Sequence, residues 1–238
     1  MSSHACPLCE SPKTDLFAEE HQRVFFSCSA CGLIHVPPEF LPSPQSERAR
    51  YDTHRNSPDD LRYRRFLGRL AVPLVPHLLP GAEGLDYGAG PGPTLSVMLE
   101  EQGFPTAIYD PFYAPDTGVL TRTYDFVTCT ETAEHFHTPR QEFQRLAQLL
   151  RPGGVLAVMT QILEDGTDFS QWRYAMDITH VCFYRSRTME WIAAAFEFDL
   201  QRPHANVFFL RHRRDQHAPA HQRHPKNDPA DPERRSSQ

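Results

Sequence analysis

The stretch GLDYGAGPGPTLSVML (residues 84–99) decides the architecture. Leu85, Asp86 and Tyr87 read as the end of a short strand. Gly88, Gly90 and Gly92 then alternate through a turn, and an amphipathic helix follows to about residue 101. Glycines there let the backbone approach a ligand where a Cβ would clash. Their spacing narrows the ligand. A dinucleotide fingerprint would place its third glycine at position 93, which is Pro93. The pattern is instead D-x-G-x-G-x-G, so the helix N-terminus serves a ligand other than a dinucleotide pyrophosphate.

Working outward, PTAIYD (105–110) is a second strand ending in Asp110, 22 residues past Gly88. YDFVTCT (124–130) is another, ending at Glu131. Phe143, Leu146, Leu149 and Leu150 mark an amphipathic helix over 139–150, and RPGG (151–154) turns into a strand over 155–160. A helix over 189–196 and strands at 198–200 and 207–210 close the pattern. The alternation of strands and helices predicts a doubly wound α/β sheet. Only thirteen residues separate Asp110 from Tyr124, too few for a helix and a full strand, so the sheet edge is expected to be truncated.

This ensemble resembles the class I S-adenosylmethionine (SAM) dependent methyltransferases over most of the chain from about Pro58 to Leu210. The glycine motif, the acid at Asp110 and the LRPGG-strand signature carry the resemblance. It implies a Rossmann-like domain, SAM as methyl donor, and cofactor contacts from Asp86, Gly88, Ala89, Gly90, Gly92, Asp110, Thr130 and Glu131. It further implies that Asp110 accepts hydrogen bonds from both ribose hydroxyls. The adenine-contacting residue stays open between Asp116 and Thr130.

Glu131-Thr-Ala-Glu134-His135 lies just beyond the 124–130 strand, at the carboxyl edge where such sheets bind ligands. A helical turn would put Glu131, Glu134 and His135 on one face. Carboxylates and imidazole suit a divalent cation such as Mg2+ or Mn2+. The E-x-x-E-H pattern resembles two metal-dependent branches of the family, the ubiquinone-biosynthesis O-methyltransferases and the small-RNA 3′-terminal 2′-O-methyltransferases. Both add a downstream histidine, and His180 is its counterpart. The expected catalytic set is therefore Glu131, Glu134, His135 and His180, with either histidine as alternative general base. The competing reading has Glu134-His135 capping a helix beside the cofactor without metal. Trp172, Tyr174, Phe183, Tyr184, Phe112 and Tyr113 are candidate acceptor-pocket walls, and Tyr51, His54 and Asn56 a candidate cover for the cofactor.

Four of the six cysteines form two C-x-x-C pairs, Cys6/Cys9 and Cys28/Cys31, with eighteen residues between them. Two such turns can close a tetrahedral zinc site, and RVFF (23–26) reads as a strand leading into the second. A disulfide framework fits this doubled spacing poorly. His4, His21 and His35 are surplus to a four-cysteine site, and Cys129 and Cys182 read as small core residues.

Between these parts, residues 41–58 are proline-rich and read as a linker or docking segment. Ser57-Pro58-Asp59-Asp60 has the capping chemistry of a helix start, and the helix carries Leu61, Phe66, Leu67 and Leu70 before Pro73 and Pro76 break or kink it. Residues 211–238 lack large apolar side chains, carry a basic excess with His212, His217, His221 and His224, and read as a disordered tail. The expected organisation is zinc ribbon 1–40, linker 41–58, methyltransferase 59–210 and tail 211–238. No apolar run approaches the ~20 residues of a membrane span, and the first residues lack a signal peptide, so a cytoplasmic enzyme is expected.

The net charge of −6 argues against a partner bound by bulk positive charge. A small-molecule acceptor, methylated on oxygen, is the leading expectation. An RNA methyltransferase using the ribbon for substrate binding is the second, as in some rRNA-modifying relatives. Against it, residues 1–40 hold only Lys13 and Arg23 as basic side chains. A non-catalytic SAM-binding or interaction module is the third.

Overall fold

The computed structural model describes residues 4–53 and 56–213. Its main sheet has six strands: β4 (Gly84–Tyr87), β5 (Thr106–Tyr109), β6 (Tyr124–Thr130), β7 (Leu150–Met159), β9 (Phe198–His204) and β10 (Val207–His212). Their order is β5-β4-β6-β7-β10-β9. The first four are parallel, and β10 runs antiparallel to both neighbours. Val127, Cys129, Leu156, Ala157 and Val158 are all buried, because helices cover both faces of a parallel sheet. The expected truncation is present. After β5 the chain makes only a bridge between Asp110 and Ala114 and a 3-10 turn, Thr117–Thr121, before β6.

Helix α2 (Leu61–Leu74) starts where Asp60 accepts hydrogen bonds from the Arg62 and Tyr63 amides. It buries Leu67, Leu70, Ala71 and Leu74, and packs beside α3 (Thr94–Glu100). One expectation needs correction. Leu61 is 75% exposed and lies off the apolar stripe. Pro73 lies inside the helix rather than at its end, and the helix stops one residue later at Leu74, giving way to a 3-10 turn over Val75–His77. Helices α4 (Pro139–Gln148), α5 (Arg173–Met176) and α6 (Ser186–Ala195) complete the set described after the sheet begins. The 41–58 segment also contains a helix, α1 (Pro44–Tyr51), with Ser43 capping it and Pro44 in the first turn.

A second, antiparallel sheet carries the cysteines. Its hairpin joins β1 (Thr14–Glu20) to β2 (Arg23–Cys28) through His21 and Gln22, both left-handed at φ 53° and 61°. Strand β3 (Ile34–His35) follows, and the fourth strand, β8 (Cys182–Phe183), comes from far along the chain. Ile34 pairs with Phe183 and His35 with Cys182. One apolar core therefore runs through both sheets, joining Leu8, Phe25 and Leu33 to Phe183, Tyr184, Phe143 and Leu146. Cys129 and Cys182 are buried in it as expected.

The last strand reaches His212, so Arg211 and His212 belong to the sheet. Residues 214–238 of the expected tail, with His217, His221 and His224, lie outside the described residues. Among the described residues no helix is long and apolar enough to cross a membrane.

Candidate active site

The cysteine cluster is the simplest to build. Turns before β1 and after β2 bring the sulfurs of Cys6, Cys9, Cys28 and Cys31 within 4.8 Å of one another. Cys6–Cys31 and Cys9–Cys28 stand at 3.5 and 3.4 Å. A tetrahedral zinc with bonds of ~2.3 Å needs sulfurs about 3.8 Å apart, so the donor set fits that ion. His4, His21 and His35 are not members of the group.

At the carboxyl edge of β4, β5 and β6 lies a cavity of about 660 Å3, within the usual range for small-ligand sites. Gly88, Ala89, Gly90, Asp110, Thr130 and Glu131 line it. Gly88 has φ +81°, and a Cβ there would meet Thr132 at 2.3 Å. Asp110 is buried with three hydrogen bonds already made. Its Oδ2 accepts from the Gly90 amide at 2.9 Å, and its Oδ1 from the Phe112 and Tyr113 amides at 2.8 and 3.0 Å. A carboxylate offers about four acceptor sites, which leaves room for one more donor.

Two expected cofactor residues do not line the cavity. Asp86 sits behind the loop, 4% exposed, accepting from Thr128 Oγ1 at 2.7 Å. Burial raises its carboxyl to about 6. Gly92 faces the backbone of Asn56, whose oxygen would lie 2.4 Å from an added Cβ. Of the two adenine candidates, Thr130 lines the cavity, while Asp116 is exposed and caps the 3-10 turn through the Gly118 amide.

The acid–histidine cluster forms the opposite wall, with one rearrangement. Glu131 has φ +48° and is followed by a 3-10 turn, Ala133–His135. The expected shared helical face of Glu131, Glu134 and His135 is therefore absent. Instead Glu134, His135 and His180 bring one ligand atom each within 4.8 Å of the others, and Glu131 is not in that group. Glu134 is fully buried, and its Oε2 accepts from Thr160 Oγ1 at 2.9 Å. Tyr174 OH donates to Thr160 in turn, at 3.0 Å, because the single threonine proton is already committed.

His135 Nδ1 faces the Thr179 carbonyl at 2.9 Å, and His180 Nδ1 faces the Tyr174 carbonyl at 2.7 Å. A carbonyl only accepts, so both Nδ1 atoms carry hydrogen and each neutral ring has its lone pair on Nε2. Burial holds His180 below the usual imidazole range. Burial, then the neighbouring Glu134, raises Glu131 well above the carboxylate range. Thr130 Oγ1, Glu131 Oε1 and Glu134 Oε1 are buried without a protein partner. Three such atoms at one cavity fit a site built to hold a polar ligand.

Helix α1 closes over this wall, a feature the linker reading missed. Tyr51 stands edge-on to His135 at 5.2 Å and contacts Phe112 at 5.7 Å. Arg50 donates to Asp177 at 2.9 and 2.7 Å, His137 pairs with Glu47 at 3.0 Å, and Tyr113 OH donates to Asp52 at 2.6 Å. The Ser43-Pro44 cap was the available sequence signal for this helix. Tyr51 and Asn56 line the cavity, whereas His54 lies outside the described residues. Of the six expected aromatic walls, Phe112, Tyr113 and Tyr174 line it; Trp172, Phe183 and Tyr184 pack in the core instead.

Residues 54–202 match the model of a family described as a methyltransferase domain. No curated protein matches the chain by sequence. Among solved structures, the chain is similar to CalO1, a methyltransferase in calicheamicin biosynthesis in its SAH-bound form. Identity is 13% and the TM-score 0.46, covering 61% of this chain and 53% of that one. It is similar to an O-methyltransferase family protein from Burkholderia thailandensis at 15% identity and TM-score 0.45, covering 71% and 62%. A 1,6-didemethyltoxoflavin-N1-methyltransferase from the same organism shows 18% identity and TM-score 0.47, covering 84% and 99%. The match thus spans 53% and 62% of the length of the first two proteins, and nearly all of the third.

Proposed function

The chain belongs to the methyltransferase-domain family, and from that premise we propose that it is a SAM-dependent methyltransferase acting on a hydroxyl of a small-molecule acceptor, with a divalent cation held by Glu134, His135 and His180. In this reading residues 1–40 are a zinc module, 59–210 the catalytic domain, 41–58 its cover and 211–238 a tail.

The observation that carries the proposal is the convergence of Glu134, His135 and His180 at one end of the cavity, with both imidazoles oriented by backbone carbonyls. SAM brings a methyl already activated on a sulfonium, so the protein has mainly to align donor and acceptor and take up one proton. The loop 88–90 and the remaining acceptor site of Asp110 orient the donor. Glu134, aimed by the Tyr174–Thr160 relay, and the imidazoles of His135 and His180 would hold the cation, which would supply a lowered pKa to an acceptor hydroxyl. Two imidazoles with one carboxylate suit Mn2+ better than Mg2+, which prefers oxygen ligands and retained water. Burial and the neighbouring Glu134 both disfavour charge on Glu131, which opposes a second negative charge at the site.

The RNA reading loses support from Arg23, which is 7% exposed, leaving Lys13 as the ribbon's basic surface side chain. Catalysis by the cluster is tested by SAH release from SAM with a panel of catechols and phenols. Activity should need Mn2+, fall with EDTA, and drop at least ~100-fold in His180→Ala and Glu134→Gln. Turnover indifferent to EDTA and to both variants would sink the metal assignment.

A further inference from the structure

Arg23 is the first residue of β2, the strand that ends in the cysteine ligand Cys28, yet its side chain reaches away from the cysteines. Nη1 donates to the carbonyls of Ile178 and His180 at 3.3 and 2.9 Å. Nη2 donates to those of Ala175 and Asp177 at 2.5 and 3.0 Å. Four backbone carbonyls within six residues thus converge on one guanidinium that is more than nine-tenths buried. Burying a guanidinium costs several kcal/mol unless its donors are satisfied. Here the four Nη donors are spent on an irregular stretch of chain, while Nε is buried without a partner, and the planar fork of arginine is what lets one side chain hold both halves of it.

That stretch carries one wall of the site. The Thr179 carbonyl orients His135, the Tyr174 carbonyl orients His180, and the Val181 amide donates to the Glu134 carbonyl at 2.8 Å. On the other side, the Val36 amide donates to the Val181 carbonyl at 3.0 Å, and β3 pairs with β8 immediately after. Residues 174–183 are therefore strung between the cysteine-bearing sheet and the acid–histidine cluster. Among the described residues no hydrogen bond runs from residues 4–36 to the glycine loop or to Asp110.

We propose that Arg23 is a positioning residue for His180 and His135, through which the zinc module sets the geometry of the acceptor half of the site while leaving the SAM half untouched. The proposal rests on the reading of Glu134, His135 and His180 given above. It assigns the zinc module a role inside the reaction centre rather than in gripping a substrate. Loss of zinc then acts as loss of Arg23 does, because β2 is held in place by Cys28.

The test compares full-length, zinc-loaded protein with Arg23→Gln, Arg23→Lys and Arg23→Ala. Three measurements apply: amide exchange over residues 174–183, Mn2+ binding by electron paramagnetic resonance, and SAH binding by calorimetry. In Arg23→Gln, exchange at His180 and Val181 should rise at least about tenfold. Mn2+ affinity should fall about 10- to 100-fold, as for lost supports of metal ligands, with SAH affinity kept within about twofold. Arg23→Lys should fall between, and millimolar guanidinium should restore protection in Arg23→Ala. Unchanged exchange and Mn2+ affinity would overturn the proposal. So would a parallel loss of SAH affinity, which marks a general structural role. If Arg23→Gln does not fold, Arg23→Lys is read by the same criteria. Wild-type protein that binds no Mn2+ would sink the metal assignment alone, and exchange with guanidinium rescue would then decide the role of Arg23.

Discussion

Asp86 and Gly92 look like cofactor residues by their place in the glycine motif, and both act one layer behind it. Asp86 is buried with Thr128 as its hydrogen-bond partner, and burial raises its carboxyl to about 6 from 3.8. A carboxyl raised in the folded state binds more protons there than when unfolded. Its contribution is therefore full below about pH 4 and is lost as pH rises through about 6. The full shift corresponds to roughly 3 kcal/mol. Asp86→Asn should accordingly flatten the fall in stability between pH 4.5 and 7 and raise the unfolding midpoint at pH 7, measured by thermal unfolding of the unliganded protein across that range. A wild-type profile retained by the variant would place the titration elsewhere. Gly92→Ala puts a methyl 2.4 Å from the Asn56 oxygen, so it should destabilise by about 1–3 kcal/mol while leaving the Gly88–Gly90 contacts in place, read by urea unfolding.

At the scale of elements, α1 is the part of the molecule that covers the cavity. It is held by Arg50 to Asp177 and by Asp52 to Tyr113. Although burial disfavours its charge, hydrogen bonds from Thr179 and Arg50 hold the Asp177 carboxyl below the usual range, so this clasp persists across neutral pH and opens only in strong acid. Partly exposed contacts of this kind are each worth up to about 1 kcal/mol. Arg50→Ala combined with Tyr113→Phe should therefore speed SAH release about tenfold in stopped-flow measurements; an unchanged rate would show that α1 does not close over the ligand. Helix α1 escaped sequence reading because its composition is polar and the prolines around it look like a linker. The strand–turn–helix at 84–100 was legible because the apolar strand, the alternating glycines of the turn and the apolar face of the helix all point to one local structure. The acid–histidine cluster was legible as residue types but not as geometry. The left-handed backbone at Glu131 breaks the helical register, and His180 reaches the site through tertiary contacts that no local spacing encodes.

Across the whole molecule, the two sheets are joined by strand pairing and by apolar packing. Strand β8 completes the cysteine-bearing sheet, and a single core joins Leu8 and Phe25 to Phe143 and Tyr184. The spacing of the four cysteines announced a zinc module, but nothing local in residues 1–40 announced that its last strand partner lies at 182–183. Stripping the zinc should therefore lower the unfolding temperature of the entire chain in one calorimetric transition, with about one zinc released per chain. Two separated transitions would show the module to be independent.

Every proposed step requires SAM to lie in the cavity between the glycine loop and Asp110. Titration calorimetry with SAH and with NAD, on the wild type and on Asp110→Asn, tests it most directly. Expected are one SAH bound per chain, no heat from NAD, and an affinity for SAH weakened about tenfold or more in the variant, the worth of a hydrogen bond to a charged group. Binding of NAD without SAH, or an Asp110→Asn variant that binds SAH as the wild type does, would contradict it.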